Sequence, residues 1–205
     1  VPVSSNLAWH VAVLVGSWNE NNEADIKAIE RLTETDYQTF QSECRRHLQE
    51  KQLVLSNGYW RVNNRSAKLK AAKDHFFDDM IRSAFQIAGE FLKETSRQFS
   101  EDGQYSIIVP EEGRFSNSEN LRKGLLEGLT ILANGFLPSY CSENLFAIES
   151  RSLIRGTLMG CDWTRMVSLS DVISIIAELN PRAFLESLEN YVFRNPDQVI
   201  KLFPS

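Results

Sequence analysis

The stretch Leu53-Val54-Leu55-Ser56-Asn57-Gly58-Tyr59-Trp60-Arg61-Val62 predicts a β-hairpin. Two runs of residues that favour strands flank Asn57-Gly58, and a type I′ turn needs a positive φ at both of its central residues, which Asn and Gly tolerate. Alternation along the second strand places Trp60 on the face opposite Tyr59 and Arg61. We therefore expect Trp60 to be buried against the helix that precedes the hairpin, near Phe40 or Cys44.

Three amphipathic helices are predicted before this hairpin, because apolar residues recur there at helical spacing. The first helix covers about 8–18 and places Trp18 on its apolar face. Asn22 is the predicted N-cap of the second helix, and Thr35 or Asp36 caps the third. Three helices followed by a hairpin predict a winged helix.

A winged helix, here over residues 7–65, usually suggests DNA binding through its third helix. The charge balance argues against that function, since residues 1–65 hold seven Lys and Arg against eight Asp and Glu, a net charge of −1. DNA-binding proteins displace counterions from phosphates with an excess of basic side chains. Asp36 and Gln38 also occupy the start of helix three, where base-reading side chains usually lie. We therefore do not expect nucleic acid as a partner.

The remaining basic residues form two groups, one late on helix three and around the hairpin, the other on the helix that follows. Basic residues near a helix C-terminus are favoured by the helix dipole alone, and lysines opposite an apolar stripe usually form a solvated face. The candidates for an interdomain or nucleic-acid contact are Arg45, Arg46, Lys51, Arg61, Lys68 and Lys70.

The pattern becomes purely helical after Arg65, which predicts an α-helical domain over 66–205. The fold class is therefore mainly α, a winged helix followed by a helical domain. The short helices from 163 to 205 resemble the start of a helical-repeat array. The expected elements are helices around Leu69–Phe76, Phe77–Leu92, 118–134 and 145–159, a polar loop at 95–106, an extended segment at 107–110, a helix capped by Ser170, and helices begun by Asn180-Pro181 and Asn195-Pro196.

Composition indicates a globular protein of the cytoplasm. Hydrophobic residues make up 42% and charged residues 24% of the 205, with a net charge of −5. No apolar run approaches the roughly 20 residues that span a bilayer, and no signal peptide opens the chain, so no membrane contact is expected. The three cysteines, Cys44, Cys141 and Cys161, are scattered, which argues against a disulfide framework and fits a reducing compartment.

The sequence contains no pattern that predicts catalysis. The three histidines have no metal-ligand spacing with Cys or carboxylates, and no glycine-rich phosphate loop or nucleophile elbow is found. The pair Asp78-Asp79 opens a predicted helix, where acidic residues favour the dipole. We expect no enzymatic activity, no catalytic residue, no cofactor and no metal.

Short motifs along about 7–194 resemble a bacterial segment that follows the nucleotidase core of large STAND-class proteins, the signal-transduction ATPases with numerous domains. Such proteins resemble bacterial antiphage sensors. The motifs that carry the resemblance are Trp18-Asn19-Glu20-Asn21-Asn22-Glu23-Ala24-Asp25, Tyr37, Leu48, Gly58-Tyr59-Trp60-Arg61-Val62, Leu121-Arg122-Lys123-Gly124-Leu125 and Asn180-Pro181-Arg182-Ala183-Phe184-Leu185. The ATPase motifs of that family are absent, so no catalytic residue carries over.

The resemblance implies a non-catalytic regulatory segment that couples other domains. In such proteins a winged helix packs against the ATPase module, and helical elements lead to a sensor region. We thus expect the nucleotidase and sensor regions of the same protein as partners. The chain opens on Val1 without an initiator Met, and we expect an excised piece of a longer protein. The alternatives are a DNA-binding winged-helix regulator with a helical effector or dimerisation domain, and an unrecognised enzyme.

Overall fold

The computed structural model describes residues 7–96, 114–135, 137–142 and 144–202. Most of the predicted polar loop at 95–106 and all of the predicted extended segment at 107–110 lie outside the described residues. The described residues are mainly helical with one small antiparallel sheet, and the mainly helical class is the one that the sequence predicts.

The described residues form a series of helices and three short strands. In chain order they are α1 (Leu7–Val15), β1 (Ser17–Asn19), α2 (Glu23–Thr33), α3 (Tyr37–Gln49), β2 (Leu53–Ser56), β3 (Tyr59–Val62), α4 (Arg65–Ala72), a 3₁₀ turn (Lys73–His75), α5 (Asp78–Lys93), α6 (Glu119–Gly135), α7 (Leu145–Leu158), α8 (Trp163–Ser168), α9 (Ile173–Leu179), α10 (Pro181–Arg194) and α11 (Pro196–Ile200).

The hairpin of β2 and β3 is confirmed, and its turn has the predicted conformation. Asn57 and Gly58 have φ angles of 52° and 82°, the positive values that a type I′ turn requires. Both strand pairs are antiparallel, in the order β1-β3-β2. Trp60 is fully buried while Arg61 is exposed, so the predicted alternation along β3 is correct.

The prediction for helix one is wrong at its C-terminal end. α1 stops at Val15, and Gly16 takes a left-handed φ of 74°. A glycine in this conformation commonly ends a helix. Trp18 therefore lies in β1, opposite Trp60 of β3, rather than on a helix. Pairing with a distant strand overrides the helical spacing, and this third strand was not predicted.

The capping prediction for Ser170 is also wrong. Residue 172 precedes α9 without a side-chain cap, and Ser170 lies in the turn before it. An unpredicted helix, α8, comes earlier, because the Asp162 carboxylate accepts a hydrogen bond from the Arg165 N–H at 2.8 Å and caps its first turn. The cap at Asn180 is confirmed, since its side chain accepts from the Ala183 N–H at 3.1 Å. α11 starts at Pro196 as predicted, although Asn195 does not cap it with its side chain.

The hydrophobic core continues across residue 65. The indole of Trp18 stacks on that of Trp60 with centroids 5.5 Å apart and meets the Phe40 ring edge-on at 5.3 Å. Trp18 thus connects Trp60 of β3 to Phe40 of α3. α6 packs against α1, β1, α5 and α9, and its leucines, such as Leu125 and Leu129, are fully buried. This helix therefore lies at the centre of the described structure.

Candidate functional site

A set of buried polar contacts links α1, α2 and β1 to α6. We call this set the joint, and it consists of Asp25, Arg65, Ser118, Gly124 and Gly128. Asp25, Arg65 and Ser118 supply polar side chains, and Gly124 and Gly128 let two backbones approach closely. The joint is built from residues up to 65 on one side and from α6 and the residue before it on the other.

Asp25 is the first element of the joint. It is fully buried, and its carboxylate accepts hydrogen bonds from the Asn19 N–H at 2.9 Å, the Ser118 N–H at 2.8 Å and the Ser118 hydroxyl. Burial raises the pKa of this carboxyl, and the hydrogen bonds oppose that shift. One side chain of α2 therefore holds β1 and the start of α6 together.

Arg65 is the second element of the joint, and it is the first residue of α4. Its guanidinium donates to the carbonyl oxygens of Val13 at 3.0 Å, of Leu14 and of Gly124, and it pairs with Glu127 at 3.1 Å. The carbonyls at the end of α1 have no partner within the helix, so this arginine satisfies them. Burial lowers the pKa of Arg65 to about 10 although Glu127 opposes that shift, and the side chain is still charged at neutral pH.

Gly124 and Gly128 let the α6 backbone approach the end of α1. A Cβ atom at Gly124 would lie 2.0 Å from the Val15 carbonyl oxygen, and one at Gly128 would lie 2.1 Å from that of Leu14. These distances are far shorter than any van der Waals contact. The two residues are four positions apart and thus lie on one face of α6.

Arg122 lies on α6 next to the joint and is fully buried. Its Nη1 donates to the Phe91 carbonyl at 3.0 Å, and its guanidinium carbon lies 3.5 Å from the centroid of the Phe115 ring. Within the described ranges, Nε and Nη2 have no hydrogen-bond partner, and neither has the buried Oδ2 of Asp171. Burial lowers the pKa of Arg122, while the charges of Asp171, Glu94 and Glu119 oppose that shift.

The structure places four of the predicted contact residues around α3 and the hairpin. Arg45 and Arg46 are exposed late on α3, Lys51 is exposed just after it, and Arg61 is exposed on β3. Arg45 donates a hydrogen bond to the Gln41 side chain at 3.4 Å. These four side chains are therefore accessible to a partner.

The other two predicted residues lie on α4. The Lys68 ammonium donates to the Asn63 carbonyl and lies 5.9 Å above the Trp9 ring, and Asn63 in turn donates to the Lys51 carbonyl at 2.9 Å. The structure therefore brings Lys68 near Lys51, which the sequence did not predict. Lys70 is exposed on the same helix. We call these two residues, with Arg45, Arg46, Lys51 and Arg61, the basic surface.

Sequence reasoning missed the residues of the joint. Neither Asp25 nor Arg65 was predicted to join separate elements, whereas both contact residues more than 50 positions away. The one local signal is the pair of glycines four residues apart inside α6, because glycine is unfavourable in a helix unless close packing requires it.

No protein-family model, curated protein or solved structure matches this chain. Among the described residues, no helix combines the length and the apolar character needed to cross a lipid bilayer. The same residues include no group of three His, Cys, Asp or Glu side chains that could hold a metal ion.

Proposed function

We propose that this chain is a non-catalytic coupling segment of a larger STAND-class signalling NTPase, with a winged helix at its N-terminal end. The order helix, strand, two helices and hairpin, with β1 pairing on β3, supports the winged helix. The motif resemblance supports the NTPase. The partners are the nucleotidase and sensor regions of the same protein.

The joint is the observation that carries this proposal. A coupling segment must transmit a displacement from one contact surface to another, which requires the elements between them to move together. Asp25 and Arg65 each tie two or more elements with charged hydrogen bonds away from solvent, where such bonds are stronger than in water. Movement of the α3 and hairpin region would thus be passed to α6 and to the helices packed on it.

The basic surface is the proposed contact with the nucleotidase. Its side chains are spread over α3, β3 and α4, and carboxylates such as Glu43 and Glu50 lie among them. Interdomain contacts of this kind are fairly polar and moderate in size, which allows them to open and close.

The test is the basal ATP hydrolysis of the full-length parent protein. Charge reversal in Arg45→Glu/Arg46→Glu and loosening of the joint in Asp25→Asn should each change that rate. The control is Arg182→Glu, an exposed arginine on α10 that lies far from the basic surface in the chain. Unchanged hydrolysis in both variants, or a reading frame that encodes no nucleotidase, would show the proposal to be wrong.

A DNA-binding regulator is the second candidate, because Arg45, Arg46 and Arg61 are exposed on the third helix and the hairpin. The net charge of −1 over residues 1–65 and the acidic cap Asp36 oppose it. Fluorescence anisotropy with mixed duplex DNA at about 150 mM salt should show no binding tighter than the roughly 10⁻⁴–10⁻⁶ M of non-specific contacts. Nanomolar, sequence-dependent binding that is lost in Arg45→Glu/Arg46→Glu would favour the regulator.

A further inference from the structure

A cleft of about 350 Å³ lies beside the joint and is lined mainly by asparagines. Its size is within the range of small-molecule sites in proteins. Residues before α2 and in β3 form one side, and the segment that leads into α6 forms the other with the first turn of that helix. We call it the asparagine cleft, and its described lining consists of Asn19, Asn21, Asn22, Tyr59, Phe115, Asn117, Ser118, Glu119 and Asn120.

The polar side chains of this cleft are accessible to a ligand. Asn21 and Asn120 are exposed and Tyr59 is half-buried, and none of these three side chains has a hydrogen-bond partner among the described residues. The Asn21 amide nitrogen would lie 2.2 Å from a Cβ atom at Gly58, so this side chain is packed against the hairpin turn. Asn19 uses its amide oxygen to accept from the Asn21 backbone N–H at 2.9 Å. Donors and acceptors without a protein partner therefore line one common space.

The charges around the cleft favour an uncharged ligand. Glu119 is the one charged residue of the described lining, and its carboxylate lies 3.6 Å from the Lys123 ammonium. An anion would meet this carboxylate and that of the buried Asp25, which Asn117 and Ser118 contact, with no basic side chain in the described lining to offset them. The described residues also offer no group of three side chains that could hold a metal ion.

The lining favours hydroxyl groups over a flat aromatic ring. Tyr59 is the one aromatic residue of the described lining that is not buried, because Phe115 is 6% exposed and its ring lies against the Arg122 guanidinium. Sites for a nucleobase stack it on accessible aromatic side chains, and the cleft offers little such surface. An asparagine amide has two donors and one acceptor, so neighbouring amides can donate to and accept from hydroxyls on adjacent carbon atoms.

We propose that the asparagine cleft binds an uncharged sugar. Its hydroxyl groups exchange hydrogen bonds with the amides of Asn21 and Asn120 and with the phenol of Tyr59. Asn21 and Tyr59 lie on the side of the joint that ends at residue 65, whereas Asn120 lies on α6. A bound sugar thus connects the two sides of the joint, and a ligand that binds only the folded arrangement stabilises it.

The experiment is a titration of the isotope-labelled whole chain with glucose, galactose, mannose and N-acetylglucosamine, followed by nuclear magnetic resonance. At least one sugar should bind saturably and shift the side-chain amide resonances of Asn21 and Asn120. Asn21→Ala/Asn120→Ala should weaken that binding about tenfold or more, because two side chains that bond to the ligand are removed. Asn134→Ala/Asn190→Ala removes two exposed asparagines outside the cleft and should change the affinity less than about twofold.

Thermal unfolding separates binding at the cleft from the general effect of sugars on stability. Sugars stabilise folded proteins by being excluded from their surface, and this effect should be equal in the wild type and in Asn21→Ala/Asn120→Ala. A sugar bound in the cleft should raise the unfolding midpoint of the wild type further. Without sugar the two proteins should unfold at the same midpoint, because neither side chain has a partner among the described residues.

Three results would overturn the proposal. They are a lack of saturable binding of all four sugars, equal losses of affinity in the two double variants, and an equal rise of the unfolding midpoint with sugar in the wild type and in Asn21→Ala/Asn120→Ala. Adenine, added in the same titration, tests the nucleobase. Binding of adenine that is tighter than that of every sugar, and that shifts the same side-chain amides, would show that the cleft is built for a base.

Discussion

At the scale of single residues, the buried charged side chains determine which substitutions this fold tolerates. Arg122 is fully buried, and among the described residues it makes one hydrogen bond, to a Phe91 carbonyl that also accepts from the Glu94 N–H. A buried charge with so few partners contributes little net stability, because its desolvation offsets its contacts. Its aliphatic chain and its stacking on Phe115 nevertheless fill space in the core.

Arg122→Met should therefore change the free energy of unfolding by less than about 1.5 kcal/mol, as for a substitution that conserves volume. Arg122→Ala should cost about 2–5 kcal/mol, because it leaves a cavity. Urea unfolding of both variants measures the difference. If Arg122→Met lowered the free energy of unfolding as much as Arg122→Ala does, the charge of Arg122 would have a role beyond packing.

His10 makes stability depend on pH. Its ring is buried and stacks on that of His75 with centroids 4.3 Å apart. Burial, and then the charge of His75, lower the pKa of His10 to about 4. In the unfolded chain the His10 imidazole has a pKa of about 6.5, so it binds a proton more readily there than in the folded protein. The stability that the neutral His10 ring contributes above pH 6.5 is therefore lost as pH falls towards 4.

His10→Gln should flatten the pH dependence of the unfolding midpoint between about pH 6.5 and 4. Asp25 acts in the opposite direction, because its raised pKa makes protonation favour the folded state. The measured quantity is therefore the difference in unfolding midpoint between the variant and the wild type at each pH. His47→Gln is the control, as this half-buried ring lies on Trp9. Parallel curves for His10→Gln and the wild type would contradict the assignment.

At the scale of elements, the close approach of α6 to α1 depends on the absence of a side chain at Gly128. Gly128→Ala places a Cβ near the Leu14 carbonyl and the Arg65 guanidinium, and such overpacking should cost about 1–3 kcal/mol. Gly156→Ala, on the exposed side of α7 with nothing within 4 Å, should instead stabilise by up to about 1 kcal/mol through helix propensity. Thermal unfolding of the two variants should thus shift in opposite directions, and equal shifts would contradict the packing of α6 on α1.

The hairpin depends on Trp60, which stacks on Trp18 and donates through its indole N–H to the Glu20 carboxylate at 2.8 Å. Trp60→Ala should cost about 3–5 kcal/mol, the usual range for a buried large aromatic residue. Val54→Ala, at a 38% exposed position on β2, should cost less than about 1 kcal/mol. Unfolding of Trp60→Ala at the wild-type urea midpoint would refute the role given to Trp60.

Elements with a strong local signal were predictable from the sequence. Asn57-Gly58 determines the hairpin turn, and the Asn180 cap with Pro181 determines the start of α10. β1 was missed because its three residues become a strand only by pairing with β3. α8 has six residues, too few for apolar periodicity to show.

At the scale of the whole molecule, the arrangement of the elements was not predictable. The carboxylate of Asp25 contacts Ser118, 93 residues away, and the guanidinium of Arg65 contacts Gly124, 59 residues away. Nothing in the neighbourhood of Asp25 or Arg65 in the sequence indicates such a partner. The basic surface was predictable as a set of residues, but the approach of Lys68 to Lys51 through Asn63 depends on how α4 packs.

The central claim is that the joint and the shared core make residues 7–65 and the helices after them one cooperative unit. Trp9, Trp18 and Trp60 lie in the first part, and Trp163 is the one tryptophan after it. In Trp163→Phe, fluorescence therefore reports on the first part alone, while far-ultraviolet circular dichroism is dominated by helices α4 to α11.

Equilibrium urea unfolding of Trp163→Phe, followed by both signals, tests this claim most directly. We expect coincident transitions with one midpoint, the behaviour of a two-state unit. Two separate transitions, with fluorescence changing at a urea concentration where the helical signal is intact, would contradict it.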